Sequence, residues 1–229
     1  MSTTDTPADP STDTPSDPST DTSAAGTVAT SGGDDAPLRV AVIVGSVREG
    51  RQGRAVADWF LGLAGAQDGL ALDVVDLADV DLPLAMPGWG GTPSPEAVEA
   101  LADVSPRLAA ADAFVVVTPE YNHSFPAALK NLIDWHHPQW QAKPVGFVSY
   151  GGLAGGVRAV EQLRQVFAEL HAVTVRDAVS LHGPWSGLGE DGAPRDAAVC
   201  TGAAKGMLGQ LRWWGRTLRE ARAVRPYQG

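Results

Sequence analysis

Two short segments carry the residue types best suited to holding a ligand: Gly45-Ser46-Val47-Arg48 and, about seventy residues later, Pro119-Glu120-Tyr121-Asn122. The first continues into Glu49-Gly50-Arg51-Gln52-Gly53-Arg54, so three glycines and three arginines lie just before a helical pattern. A hydroxyl, guanidinium forks and the unpaired amides of a helix start together suit an anion, phosphate above all. The spacing lacks the Gly-Lys-Ser/Thr close of a Walker loop and the Gly-x-Gly-x-x-Gly of a dinucleotide fingerprint. The plain alternative is a Gly-rich turn with solvated arginines. Basic charge beside a helix start that electrostatically prefers acids counts against it. The second segment is bracketed by Pro119 and Pro126, with Ser124 placed to cap the helix that follows. Such a stiff turn, with a Tyr face and an Asn amide, can orient a heteroaromatic ring, although taken alone it is ordinary turn composition. A third segment, Ser149-Tyr150-Gly151-Gly152-Leu153-Ala154-Gly155-Gly156, lets backbone approach a ligand closely and is, alone, equally a flexible connection.

The elements that must position these segments alternate. Apolar runs at Leu38–Val44, Leu72–Asp76, Ala113–Thr118, Val145–Tyr150 and Val173–Leu181 read as strands. Helical patterns cover about 52–64, 96–110, 125–135 and 154–170, and a long last helix ends near Ala221. Five strands separated by helices imply an α/β, three-layer, flavodoxin-like fold: a five-stranded parallel sheet, order 2-1-3-4-5, covered on both faces. In such a sheet, ligands bind at the carboxyl ends of the strands where the order reverses. The first two segments flank that point. They suggest one ligand with a phosphate at one end and a flat ring at the other, a description that fits flavin mononucleotide (FMN).

Composition narrows the class. The 229 residues carry a formal charge of −10, but seven aspartates and no Lys or Arg lie in residues 1–37, which leaves −3 for residues 38–229. That second part has no nucleic-acid footprint. In the first, the octad Thr4–Ser11 recurs almost unchanged as Thr12–Ser19 and begins again at Thr20; without large apolar residues it reads as a disordered acidic tail. One cysteine, Cys200, excludes an intramolecular disulfide framework or a Cys-based metal cluster, and its Ala-rich setting suggests packing. No apolar run approaches the ~20 residues of a membrane helix, so the expectation is a cytoplasmic protein with no nucleic-acid or membrane partner. His136-His137 near a helix end suit that end's negative pole as cations; no metal site is expected. Trp213-Trp214 read as packing or a subunit contact, and Trp185 as packing.

From about Leu38 to Arg222 the chain resembles the NAD(P)H-dependent FMN reductase family. The carriers are the Gly45–Arg48 loop, the Pro119–Asn122 turn followed by Ala127-Ala128-Leu129-Lys130-Asn131-Leu132-Ile133-Asp134-Trp135, and the Ser149–Gly152 loop. The resemblance implies that Ser46, Arg48, Gln52, Gly53 and Arg54 hold the FMN phosphate, although many relatives carry Ser where Arg54 stands. It implies that Pro119, Glu120, Tyr121 and Asn122 line the ribityl and isoalloxazine, and that Ser149, Tyr150, Gly151 and Gly152 meet the pyrimidine side. The loop Met86–Thr92 is not a family pattern. The resemblance further implies hydride transfer from NADPH or NADH to FMN, a small acceptor (quinone, flavin, azo compound or metal oxyanion) and assembly as a homodimer or homotetramer. The reactive atoms belong to the cofactor, so no catalytic acid, base or nucleophile is assigned, and Glu120 is expected to be structural. The alternative is a flavodoxin-type electron carrier that does not oxidise nicotinamide. Its Thr/Ser/Gly-rich phosphate loop is absent here, and rapid anaerobic bleaching by NADPH or NADH would exclude it. A flavin-free regulatory relative would be colourless and would not bind added FMN.

Overall fold

Valine is the commonest residue of the runs that form strands. In the computed structural model, which describes residues 36–88, 90–183, 187–190 and 192–229, they build one parallel sheet. The repeats before residue 36 and Trp185 lie outside the described residues. The strands are β1 (Leu38–Val44), β2 (Leu70–Asp76), β3 (Ala113–Pro119), β4 (Pro144–Gly151), β5 (Val173–Thr174) and β6 (Val179–His182). The helices are α1 (Gly53–Gly65), α2 (Pro95–Ala110), α3 (Ala127–Trp135), α4 (Val157–Glu169) and α5 (Ala197–Val224). The order β2-β1-β3-β4-β5 is the expected one. Every residue of β3 is buried, as befits a central strand covered on both faces. Side-chain alternation divides the core in two. Val40, Val42, Val44, Val115 and Val117 face α1 and α5, while Ala41, Ile43, Phe114 and Val116 face α2, α3 and α4. Trp140 fills the second layer, packed on Phe114 and Phe167.

The fifth strand departs from expectation. Pro144↔Val173 sets the pairing of β5 with β4, whereas Val148↔Val179 sets that of β6 with the same strand. The offset grows from 29 to 31 residues, so Val175–Ala178 accommodates two extra residues as a break in the ladder. Asp177 is held there by its backbone amide, which donates to Gln210 Oε1 on α5 at 3.1 Å. The strand pattern is thus continuous in sequence but not in hydrogen bonding.

Two further expectations change. Ser124 does not cap α3: the residue before the helix is Pro126, and the Ser124 hydroxyl donates to Gln162 instead. His136 is no surface cation, because it is buried between α2 and α3. Its Nδ1 pairs with the Leu132 carbonyl at 2.8 Å and its Nε2 with Ser105 Oγ at 2.9 Å, and burial lowers its pKa. Cys200 is buried in the α5 layer, where burial raises its pKa. Trp213 is 61% exposed and Trp214 36%, so neither is core packing.

At the amino ends of the strands, the buried Asp112 carboxylate meets Arg39, Arg219 and Arg222 at 3.4, 3.4 and 3.8 Å. Beside it Lys143, 6% exposed, donates to the Leu108 and Ala109 carbonyls that end α2. This cluster lies at the opposite end of the sheet from the ligand-type loops.

Candidate functional site

The three loops singled out from sequence follow β1, β3 and β4, three adjacent strands, and so converge at one end of the sheet. Backbone bonds tie them: Gly45 N–H donates to the Val117 carbonyl at 2.8 Å, and Glu120 N–H to that of Tyr150 at 3.1 Å. The Ser46 hydroxyl, fully buried, lies 3.1 Å from the Tyr121 hydroxyl and also hydrogen-bonds that of Tyr150. Burial raises the Tyr150 pKa, and the Ser46 bond only partly offsets this. Gly53, first residue of α1, completes the junction: a Cβ there would stand 2.8 Å from the Tyr150 hydroxyl. Ser46, Gly53, Tyr121 and Tyr150 therefore form one joint between the loops.

The three arginines of the first loop have three different surroundings. Arg51 forks onto the buried Asp76 at 2.6 and 2.8 Å and also donates to the Ser46 carbonyl at 2.8 Å. Its pKa is raised, chiefly by that hydrogen-bonded carboxylate. Asp76 also accepts from the Ala78 amide at the start of a short 3-10 turn, so this pair braces the loops after β1 and β2. Arg54 turns back to Asp58 at 2.9 Å, with Asp76 at 3.9 Å. Arg48 is exposed; its carbonyl accepts from the Arg51 amide at 3.0 Å, and its guanidinium has no ion pair or hydrogen bond among the described residues. The start of α1 has no side-chain cap and no acid in its first turn, and Gln52 stands exposed before it. Orphan amides beside a free guanidinium fit a phosphate group.

The second loop is a turn with a defined hand. Tyr121 and Ser124 exchange backbone hydrogen bonds at 2.8 and 3.0 Å, and Asn122 and His123 between them have φ of 50° and 69°. Positive φ at both central positions marks a type I′ turn, in which Asn and His tolerate the left-handed region better than most residues. Both are exposed at its tip. Helix α4 supports the turn from behind. Gln162 accepts from Ser124 Oγ at 2.7 Å and donates to the His123 carbonyl at 2.8 Å. Arg158 binds the Glu120 carboxylate at 2.7 Å, and Glu120 also accepts from the Arg158 amide in the first turn of α4. Glu120, whose side chain is 9% exposed, thus serves the helix start. Sequence reasoning missed Arg158 and Gln162; their i, i+4 spacing marks one helix face, but nothing in sequence says what that face meets.

In the third loop the side chains of Ser149 and Tyr150 point into the protein. Ser149 Oγ donates to the Gly155 carbonyl at 2.8 Å, and Tyr150 is 4% exposed. What the loop presents outward is backbone at Gly151 and Gly152, and a Cβ at Gly152 would meet nothing within 4 Å. Gly156 is required as glycine, since its φ is 87° and a Cβ would approach Ser149 Cβ to 2.6 Å.

The run Ala127–Trp135 on α3 has its own task. Asn131 Nδ2 donates to the Leu82 carbonyl at 2.9 Å and Trp135 Nε1 to that of Pro83 at 2.9 Å, which fastens the Pro/Gly-rich loop after β2. Between this loop, Val47 and the start of α3 lies a cavity of about 630 Å³. Its wall is mainly apolar, with Asp79 and Asp81 as its charged members and no cation among the described residues. No grouping of three or more His, Cys, Asp or Glu suited to a metal occurs among the described residues, and none of their helices is long and apolar enough to cross a membrane.

Residues 38–186 match the profile of the NADPH-dependent FMN reductase family. The NAD(P)H-dependent FMN reductase of Schizosaccharomyces pombe is 35% identical over 152 residues, 62% of this chain and 73% of that protein. A quinone reductase of Pseudomonas putida is 35% identical over 147 residues, 61% of this chain and 75% of that protein. Among solved structures, the flavoenzyme NAD(P)H:acceptor oxidoreductase FerB of Paracoccus denitrificans is similar. Its TM-score is 0.54 at 25% identity, over 80% of this chain and 98% of that one.

Proposed function

The chain belongs to the NADPH-dependent FMN reductase family, and from that premise we propose how its residues divide the work. It is an FMN-dependent NAD(P)H oxidoreductase that passes electrons to a small acceptor. FMN, when bound, supplies the redox chemistry, and the protein supplies binding, orientation and electrostatics. Arg48, Gln52, Gly53 and Arg54, with the first amides of α1, hold the phosphate. Arg48 is the principal cation, because Arg54 is already engaged by Asp58. Ser46 and Tyr121 fix the spacing of the first two loops. Pro119, Glu120, Tyr121 and Asn122 line the ribityl and ring, with Glu120 acting through its backbone. Ser149, Tyr150, Gly151 and Gly152 flank the pyrimidine side through main-chain groups. The observation that carries this reading is the hydroxyl contact of Ser46 with Tyr121, which makes one crevice of two loops.

The cavity beside Val47 supports a neutral quinone as the acceptor over a metal oxyanion, since its wall combines apolar surface with two carboxylates. The same reading takes the protein as a cytoplasmic homodimer or homotetramer, and the exposed Trp213 and Trp214 support assembly. The test is an anaerobic absorbance spectrum of the FMN-reconstituted protein before and after NADPH, then NADH. Flavin bands that bleach within the mixing time are expected. Bands that ignore both nucleotides would refute nicotinamide oxidation. A benzoquinone should then restore the bands faster than chromate does, and the reverse order would refute the acceptor assignment.

A further inference from the structure

Helix α5 buries Ala204, Leu208, Leu211 and Gly215 on one side. With about 3.6 residues per turn, Gly202, Gly209, Trp213 and Glu220 fall on a single stripe of the opposite side, and all four are exposed. Trp213, 61% exposed, stands edge-on to Trp214 with ring centroids 4.8 Å apart. Glycine is a poor helix former, yet a Cβ at Gly202 or Gly209 would meet nothing within 4 Å. A Cβ at Gly206, by contrast, would stand 2.8 Å from Asp177 Oδ2. Packing within the protomer therefore accounts for Gly206 and not for the other two. Lys205 and Glu220 are exposed, and their side chains have no ion pair or hydrogen bond among the described residues. The cations beside Trp213 are turned aside. Arg212 donates to the Asp68 carbonyl at 2.8 Å, and the Arg216 guanidinium lies against Gly69.

We propose that this face docks on the same face of a second copy of the chain, α5 against α5, antiparallel about a two-fold axis. Such a contact must be self-complementary, and this stripe is. Setting each Trp213 over Gly209 of the other copy puts the axis at Leu211, midway between them. Each indole then fills the space that a glycine leaves, as a knob enters a hole. Lys205 lies six residues before the axis and Glu220 nine after it. Lys205 of one copy and Glu220 of the other are thus offset by three residues, about 4.5 Å along the helices, within reach of both side chains. Symmetry forms that ion pair twice. Gly202, nine residues before the axis, stands level with Glu220 of the other copy and lets the backbones approach. A parallel pairing in register would set Lys205 beside Lys205 and Glu220 beside Glu220, which like-charge repulsion opposes. The inference rests on the reading that the chain self-associates and adds which face does so, and in what register.

The test is the mass of the full chain in solution, followed by sedimentation equilibrium from about 0.1 to 100 μM. Wild type is expected to associate. Trp213→Ala should weaken that association roughly 30-fold or more, as expected of a central aromatic anchor. Lys205→Glu and Glu220→Lys each turn two attractions into two repulsions and should weaken it roughly 10-fold. The double variant Lys205→Glu/Glu220→Lys restores both pairs and should recover wild-type association, which damage to the fold would not allow. An equimolar mixture of the two single variants should form a mixed dimer in preference to either alone. One variant is acidic at both positions and the other basic at both, so only the mixed pairing is attractive. If wild type associates and every variant matches it, the α5 contact is overturned while self-association stands. If wild type is monomeric throughout, both fall. Single variants that weaken association with no recovery in the double variant or the mixture would overturn the antiparallel register.

Discussion

Replacing Arg51 and Arg48 separately by alanine should have opposite consequences, although the two residues stand three apart in one loop. Arg51 makes two charge-assisted bonds to Asp76 and a third to the Ser46 carbonyl. Its loss strands a carboxylate whose side chain is 5% exposed. Breaking a buried pair by removing one partner costs about 3–5 kcal/mol. Asp76 keeps the Ala78 amide and has Arg54 at 3.9 Å, which reduces the expected loss to about 2–3 kcal/mol. For a domain of this size that is a fall of about 5–10 °C in Tm. Arg48 is exposed and unpaired among the described residues, so Arg48→Ala should change stability by less than about 0.5 kcal/mol. If it binds the phosphate, the same substitution should weaken FMN binding by about 1.5–3 kcal/mol, roughly 10- to 150-fold in Kd. Stability must be measured on flavin-free protein, because bound ligand raises Tm by mass action. Thermal unfolding and FMN fluorescence titration on both variants give the four numbers needed. An Arg51→Ala protein with wild-type Tm would refute the brace, and an Arg48→Ala protein with unaltered Kd would remove Arg48 from the site.

Three other outcomes are expected. Burial, first, and the positive charge of Arg222 lower the Lys143 pKa from 10.5 to about 8. Between those values the folded state binds fewer protons than the unfolded chain, so this lysine makes stability rise with pH from about 8 to 10.5, by up to about 2–4 kcal/mol. Urea unfolding of wild type against Lys143→Met at pH 7.5 and 9.5 checks it, and parallel curves for the two proteins would refute it. Gly156→Ala should destabilise by more than about 2 kcal/mol and impair FMN binding, because φ of 87° and a Cβ at 2.6 Å from Ser149 leave no relaxed alternative. A wild-type melting curve would contradict the strain argument. Gln162→Ala removes both supports of the turn at Ser124 and His123 at a cost of about 1 kcal/mol. It should speed amide exchange at Tyr121 and Ser124 while leaving the central strand β3 protected, and unaltered exchange at those two amides would count against the clamp.

Much of the architecture was legible in the chain itself. Val-rich runs bounded by Gly and Pro set the strands, and the periodic segments between them set the helices. That alternation admits few topologies other than the parallel order observed, since crossovers are right-handed and the runs are too apolar to face water. The loops that suit an anion and a planar ring could be recognised because Gly, Arg, Pro and Tyr restrict or furnish chemistry locally. Tertiary structure decided which of these side chains is free. Three arginines in seven residues are equivalent in sequence, yet Asp76, brought alongside by parallel pairing of β2 with β1, takes Arg51 and leaves Arg48 exposed. Glu120 and Ser149 sit in ligand-type loops but are bound to Arg158 and to the Gly155 carbonyl. The break between β5 and β6 depends on a register against β4 that no local pattern encodes. Gln162, Ser180 and His182 reach the loops from elements 25 residues or more away in the chain. Local composition can mark where a ligand is held, because backbone conformation and helix polarity are local. Which groups remain unpaired to hold it depends on long-range neighbours, and only the folded chain brings those together.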